Sequence, residues 1–174
     1  MDLTASQRVA VPRSRVWEEI GDLPALAARL GLKALTVEDA GDGAPVAGRV
    51  WHARLDLKGA RRDGILTVRE ARAPERLDVA GDFGNVAVTL SVDLAEDGPE
   101  RSAVAIVIAA VGGGLTGRAF LQTLRLMRPA LEAKLAQRLA DCARDIERRA
   151  GVGDQVARPG SAGYVPRIDS SDVK

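Results

Sequence analysis

Cysteine and histidine are almost missing from this chain, and each shortage removes a class of function. Among 174 residues there is one cysteine, Cys142, and one histidine, His52. An intramolecular disulfide and a cysteine-based metal cluster are therefore excluded, and an ordinary zinc site lacks ligands. No metal and no cofactor is expected. Excess charge of either sign is missing too: Lys+Arg 25 against Asp+Glu 24 leaves a formal charge of +1. No overall field then favours nucleic acid or an anionic membrane, so any electrostatic function must be local. The opening MDLTASQR has no apolar signal-peptide core and no run reaches the length of a membrane span. A cytoplasmic protein with no nucleic-acid partner and no integral membrane association is expected.

What the chain does have is apolar patterning, with 46% hydrophobic residues, enough for one domain with a sizeable core. The longest periodic segment runs from Gly114 to Ala150. Its apolar positions Leu121, Leu124, Met127, Leu131, Leu135, Leu139, Cys142 and Ile146 recur every three or four residues and predict an amphipathic helix. Unbroken, it would reach roughly 50 Å, more than a domain of this size can cover. Pro129 predicts a kink or break between Leu126 and Pro129, because proline removes a helical hydrogen bond and crowds the preceding turn.

Ahead of that helix the chain alternates. Leu3 to Val11 reads as a first strand ended by Pro12, Ser14 can cap a short helix around Val16, Trp17 and Ile20, and Asp22 can cap a second containing Leu26 and Leu30. Six further strands follow as an antiparallel meander: Leu32 to Glu38, Gly48 to Leu57, Arg62 to Ala73, Arg76 to Asp82, Val86 to Leu94 and Ser102 to Val111. Alternation places Trp51, Ala53 and Leu55 on one face and His52, Arg54 and Asp56 on the other. Residues 1–150 are expected to form the domain and 151–174, which lack a periodic apolar face, a flexible tail.

The segment from Val9 to Asp22, with Pro12, the Val16-Trp17 pair and the terminal Asp22, resembles the opening of the START-like (SRPBCC) superfamily of polyketide cyclases, coenzyme Q-binding proteins and Bet v 1 allergens. Gly41, Gly43 and Gly48 resemble that superfamily's loop between the second and third strands. Arg29-Leu30-Gly31 departs from it, standing where many members carry a tryptophan. The resemblance implies an α+β helix-grip fold: a seven-stranded curved antiparallel sheet wrapped around a long C-terminal helix, with two short helices between strands 1 and 2. It also implies a cavity between sheet and helix, against the plainer alternative of a filled core. The expected lining is Trp51, Ala53, Leu55, Leu66, Val68 and Phe83, then Val88, Leu90, Ile106 and Ile108, then Leu121 and Leu124 from the helix, with Leu77 and Val79 beside them.

In a meander, alternate connections share one end. That brings Lys58, Arg61 and Arg62 together with Phe83-Gly84-Asn85 and Gly112 to Gly114, a basic rim that suits an anionic head group unless it is only a solvated turn. The GDG motif around Asp42 lacks the lysine and Ser/Thr of a phosphate loop and reads as a hairpin connection. His52 is expected to face away from the cavity, and Cys142 to be a small buried hydrophobe. Glu70 shares alternation with Leu66 and Val68, so it is expected to point inward, a weak catalytic candidate as acid or base. The first functional reading is a non-enzymatic carrier or sensor of a hydrophobic or lipid-like small molecule, acting as monomer or homodimer. The alternatives are an enzyme of the polyketide cyclase/dehydratase type and an interaction module working through the end of the long helix.

Overall fold

A computed structural model describes residues 1–20, 23–30, 35–38, 45–57 and 60–151. The elements in chain order are β1 (Asp2–Val9), α1 (Arg13–Ile20), α2 (Leu23–Arg29), β2 (Leu35–Glu38), β3 (Val50–Leu57) and β4 (Ala60–Arg72), then β5 (Arg76–Asp82), β6 (Val86–Glu96), β7 (Ser102–Gly112), α3 (Gly114–Leu126) and α4 (Arg128–Arg149). All seven strands form one antiparallel sheet in the order β1-β7-β6-β5-β4-β3-β2. The helix-grip architecture expected from the sequence is therefore present. Lys58, the GDG motif and residues 152–174 lie outside the described residues.

Alternation explains the strands. Along β1, Thr4, Ser6 and Arg8 are exposed while Leu3 and Ala5 turn toward the core and Val9 is buried. On β3, Trp51 and Ala53 are buried and His52 is exposed. One strand breaks its own pattern. Pairing between β4 and β5 runs Val68↔Val79 and then Glu70↔Asp78, so Arg69 is an extra residue in a bulge. Because the side-chain period is two, one added residue exchanges the faces beyond it. Glu70 therefore does not point inward as its spacing from Leu66 and Val68 predicts. It lies on the outer face, 2.7 Å from Arg72 and 3.5 Å from Arg76, while Ala71 takes the core side.

The helix divides where Pro129 predicts. Met127, at φ −96° and ψ 0°, separates α3 from α4, and Pro129 sits in the first turn of α4, where no N–H is needed. The two segments do different work. α4 buries Leu135, Leu139, Cys142, Ala143 and Ile146 against the core, whereas in α3 only Gly117 and Leu121 are fully buried. The far end of α4 is tied down, since Glu147 accepts from the Ala10 amide at 2.7 Å. Glu19 of α1 accepts from both Arg29 at 2.6 Å and Arg149 at 3.0 Å. α3 reaches the sheet through glycine. A side chain on Gly117 would run into the Asn85 carbonyl oxygen, and one on Gly112 would run into the Gly117 backbone. No helix among the described residues is long and apolar enough to cross a membrane.

Candidate functional site

The interior has a filled part, where α4 packs Leu139 and Cys142 beside Ile106, and a hollow part roofed mainly by α3. In the filled half Trp51, Ala53, Val68, Leu77 and Ile106 are all buried, and Ile106 borders only a void of about 10 Å³ beside Leu139 and Cys142. Under α3 there is a cavity of about 220 Å³. That exceeds the ~150 Å³ at which an apolar protein cavity takes up benzene.

The wall of this cavity includes Leu55, Leu66, Phe83, Val88, Leu90 and Ile108 from the sheet, with Leu121 and Leu124 from α3. The expected lining residues Trp51, Ala53, Val68 and Ile106 are buried but are not on this wall: they belong to the filled part of the core, where Ile106 lies beside Leu139 and Cys142 of α4. Val79 is on the wall and Leu77 is not. Residues that sequence reasoning passed over complete it: Met1, Leu3, Leu23, Leu35, Gly81, Val86, Ala110, Phe120 and Leu131. Phe120 and Leu124 form an i,i+4 pair, and that spacing could have revealed Phe120. Met1 is held by its amino group donating to the Ala110 carbonyl at 2.8 Å.

Two glycines make room for the floor. A side chain on Gly64 would come within 2.6 Å of the Phe83 ring, and one on Gly81 within 2.9 Å of it. Phe83 can thus lie flat across β4 and β5. Every described lining side chain is apolar, so among the described residues the cavity holds no acid, base or hydroxyl.

Polarity begins at the end nearest α3. Arg61 and Arg62 are neighbours in β4 but face opposite ways: Arg61 opposes Asp56 on the exposed face, and Arg62 opposes the cavity residue Leu55. Arg62 donates from Nη1 to the Asn85 side-chain oxygen and lies over the Phe120 ring, 5.5 Å from its centroid. Its Nε is buried and has no hydrogen-bond partner among the described residues. A buried N–H left without an acceptor costs ~1–3 kcal/mol, and an oxygen supplied from outside the protein would recover it. The connections that share this end do meet, since the Gly113 amide also donates to the Asn85 carbonyl at 2.7 Å.

The remaining candidates are inert by position. His52 is exposed on the outer face. Burial pushes the Cys142 thiol up, away from the thiolate that nucleophilic chemistry needs. At the opposite end of the sheet Arg13 bridges Glu75 at 3.3 Å and Glu96 at 3.1 Å, and Arg8 meets Asp97 at 3.3 Å, so those acids are paired. No group of His, Cys, Asp and Glu able to hold a metal ion occurs among the described residues.

Residues 1–147 match the family model described as polyketide cyclase / dehydrase and lipid transport. No curated protein matches the chain. Among solved structures, a protein from Deinococcus radiodurans is similar with a TM-score of 0.61 at 12% identity, covering 87% of this chain and 99% of that one. The Zhui aromatase/cyclase from a Streptomyces species reaches 0.60 at 14% identity, covering 86% and 95%. A protein from Mycobacterium smegmatis reaches 0.54 at 16%, covering 83% and 91%. Likeness at these identities shows the fold.

Proposed function

We propose that this chain, which belongs to the polyketide cyclase / dehydrase and lipid transport family, carries a small apolar molecule that has one anionic or carbonyl-bearing end. The body of the ligand occupies the cavity under α3, and its polar end meets Arg62. The observation behind this reading is the contrast within one site: a cavity of about 220 Å³ with only apolar described side chains on its wall, and one inward arginine with an unsatisfied Nε beside it. Apolar surface supplies affinity without directing chemistry, and a guanidinium matches a carboxylate or a pair of carbonyl oxygens.

A cyclase would have to move protons on its substrate, which requires an acid or base within hydrogen-bond reach. The described wall offers none, and Glu70 is on the other face of the sheet. A docking role for the end of α4 is also disfavoured, because Leu139, Cys142, Ala143 and Ile146 already spend its apolar face inside the molecule. The test is displacement of anilinonaphthalene sulfonate from the purified protein by decanoate and by decanol. Both should compete, decanoate the more strongly. A protein that takes up none of the three compounds, and from which native mass spectrometry releases no small molecule, would overturn the reading.

A further inference from the structure

We infer that the outer stripe of α3 docks on an anionic lipid surface. The two most exposed large apolar side chains among the described residues are Leu115 at 87% and Leu126 at 86%, both on this helix. They stand eleven positions apart, which at 3.6 residues per turn puts them within about 20° of one another around the axis and roughly 16 Å apart along it. Ala119 and Gln122 lie between them on the same stripe, also exposed. The opposite side of α3 holds Gly117, Leu121 and Leu124 against the sheet and cavity. A surface helix needs only one apolar side to hold its place, so the second is unaccounted for by the fold.

Along this part of the chain the charge has one sign. From Arg101 to Leu131 the sequence contains no Asp or Glu. Arg118 and Arg125 are exposed along one border of the stripe, and neither forms an ion pair among the described residues. Leucines to enter the acyl boundary, with unpaired arginines beside them to meet phosphate, are what an interfacial helix requires. The near-zero net charge does not oppose this, since exposed charges more than about 10 Å away are largely screened at 0.1 M salt. A second copy is a poorer occupant. In an antiparallel pairing of two stripes across a two-fold axis the arginine borders of both copies would come together, and in either pairing the arginines would gain no acidic partner from the other stripe.

The proposal does not depend on what fills the cavity, and the test separates the two. The full chain is floated with vesicles of phosphatidylcholine alone and of phosphatidylcholine mixed with phosphatidylglycerol. It should partition onto the anionic vesicles and lose most of that binding as salt rises. Leu115→Ser with Leu126→Ser, and separately Arg118→Gln with Arg125→Gln, should each lower the partition by about tenfold or more. Val50→Ser, an exposed position on β3, should leave it unchanged. All variants should keep the parent's circular dichroism and its uptake of decanoate, because none of these side chains lines the cavity. Absence of partition, equal partition on both kinds of vesicle, or an unaltered leucine variant would overturn the proposal. So would a concentration-dependent dimer that the leucine changes dissolve without vesicles. Loss of decanoate binding with vesicle binding intact would instead sink the cavity reading and leave this one standing.

Discussion

Arg62 of β4 and Phe120 of α3 are stacked, with the guanidinium carbon 5.5 Å from the ring centroid. This contact joins the sheet to the helix that roofs the cavity, and Asn85 holds the arginine from the other side. The face of one aromatic ring is therefore shared between a cation and an apolar chamber.

The first prediction follows from that geometry. Arg62→Met should weaken decanoate by about tenfold, or 1–2 kcal/mol, as expected for a lost charge-assisted hydrogen bond, and leave decanol nearly unaffected. Arg61→Met should change neither, because Arg61 faces Asp56 on the outer surface. Competition titrations with the two alcohol and acid chains measure the difference. Equal losses for decanoate and decanol in the Arg62 variant would mean that the arginine shapes the cavity and does not read the ligand's charge.

The second prediction concerns which half of the interior is hollow. Leu90→Phe places extra volume in the cavity, so it should fold and lose ligand. Ala53→Phe places it in the filled half, where Ala53 is 3% exposed, and should cost about 1–3 kcal/mol of stability or prevent folding. Urea denaturation beside probe titration distinguishes them. If Ala53→Phe proves as stable as the parent, the boundary between the two halves is misplaced.

The strands and faces were legible because alternation is a local signal: Trp51 in and His52 out can be read from three residues. The helix break was legible for the same reason, since Pro129 acts on its own turn. The boundary of the cavity was not, because Trp51, Ala53, Val68 and Ile106 carry the same inward signal as Leu55 and Leu90. Which of them are packed and which border the cavity depends on long-range packing that alternation does not encode. Glu70 was misplaced because one added residue, Arg69, leaves no mark in composition yet reverses parity. Arg62 was placed on the rim as one of a basic cluster. Parity with Leu66 contained its inward direction, but a charged residue on a core face is easily taken for a loop residue.

A third prediction turns on pH. Burial pushes the Asp78 carboxyl up, but the Ser91 hydroxyl and the Arg76 guanidinium, 2.9 Å away, outweigh it and hold the group below its ordinary value. A carboxyl whose pKa is lower folded than unfolded contributes stability that is complete above the ordinary carboxylate value, about 3.9, and is lost as pH falls from there through the lower folded value. Asp78→Asn should thus be less stable than the parent at neutral pH, and the gap should narrow as pH falls below the ordinary carboxylate value. Urea midpoints across that range report it. A gap that stays constant with pH would assign the loss to packing rather than to charge.

The last prediction tests the contact that sets α3 in place. Gly117 lies inside a helix, where replacing glycine by alanine ordinarily gains about 1 kcal/mol through lower backbone entropy in the unfolded chain and better propensity. Here the opposite sign is expected. The added methyl would collide with the Asn85 carbonyl oxygen and come within 3.1 Å of the Gly112 Cα, and both are backbone atoms that cannot swing aside. α3 would have to lift from the sheet, moving Phe120 off Arg62 and opening the roof of the cavity. Gly117→Ala should therefore lower stability by about 1–3 kcal/mol, the usual cost of forcing atoms into a packed contact, and speed amide exchange along α3 more than along α4. Gly113→Ala is the matched control: its φ is −90° and the nearest atom to an added methyl is 3.7 Å away, an ordinary contact. It should cost only the N-cap preference for glycine over alanine, up to about 1 kcal/mol, and leave amide exchange along α3 as in the parent. Should Gly117→Ala raise the urea midpoint instead, α3 is not held by backbone-to-backbone contact, and the cavity beneath it has no fixed roof.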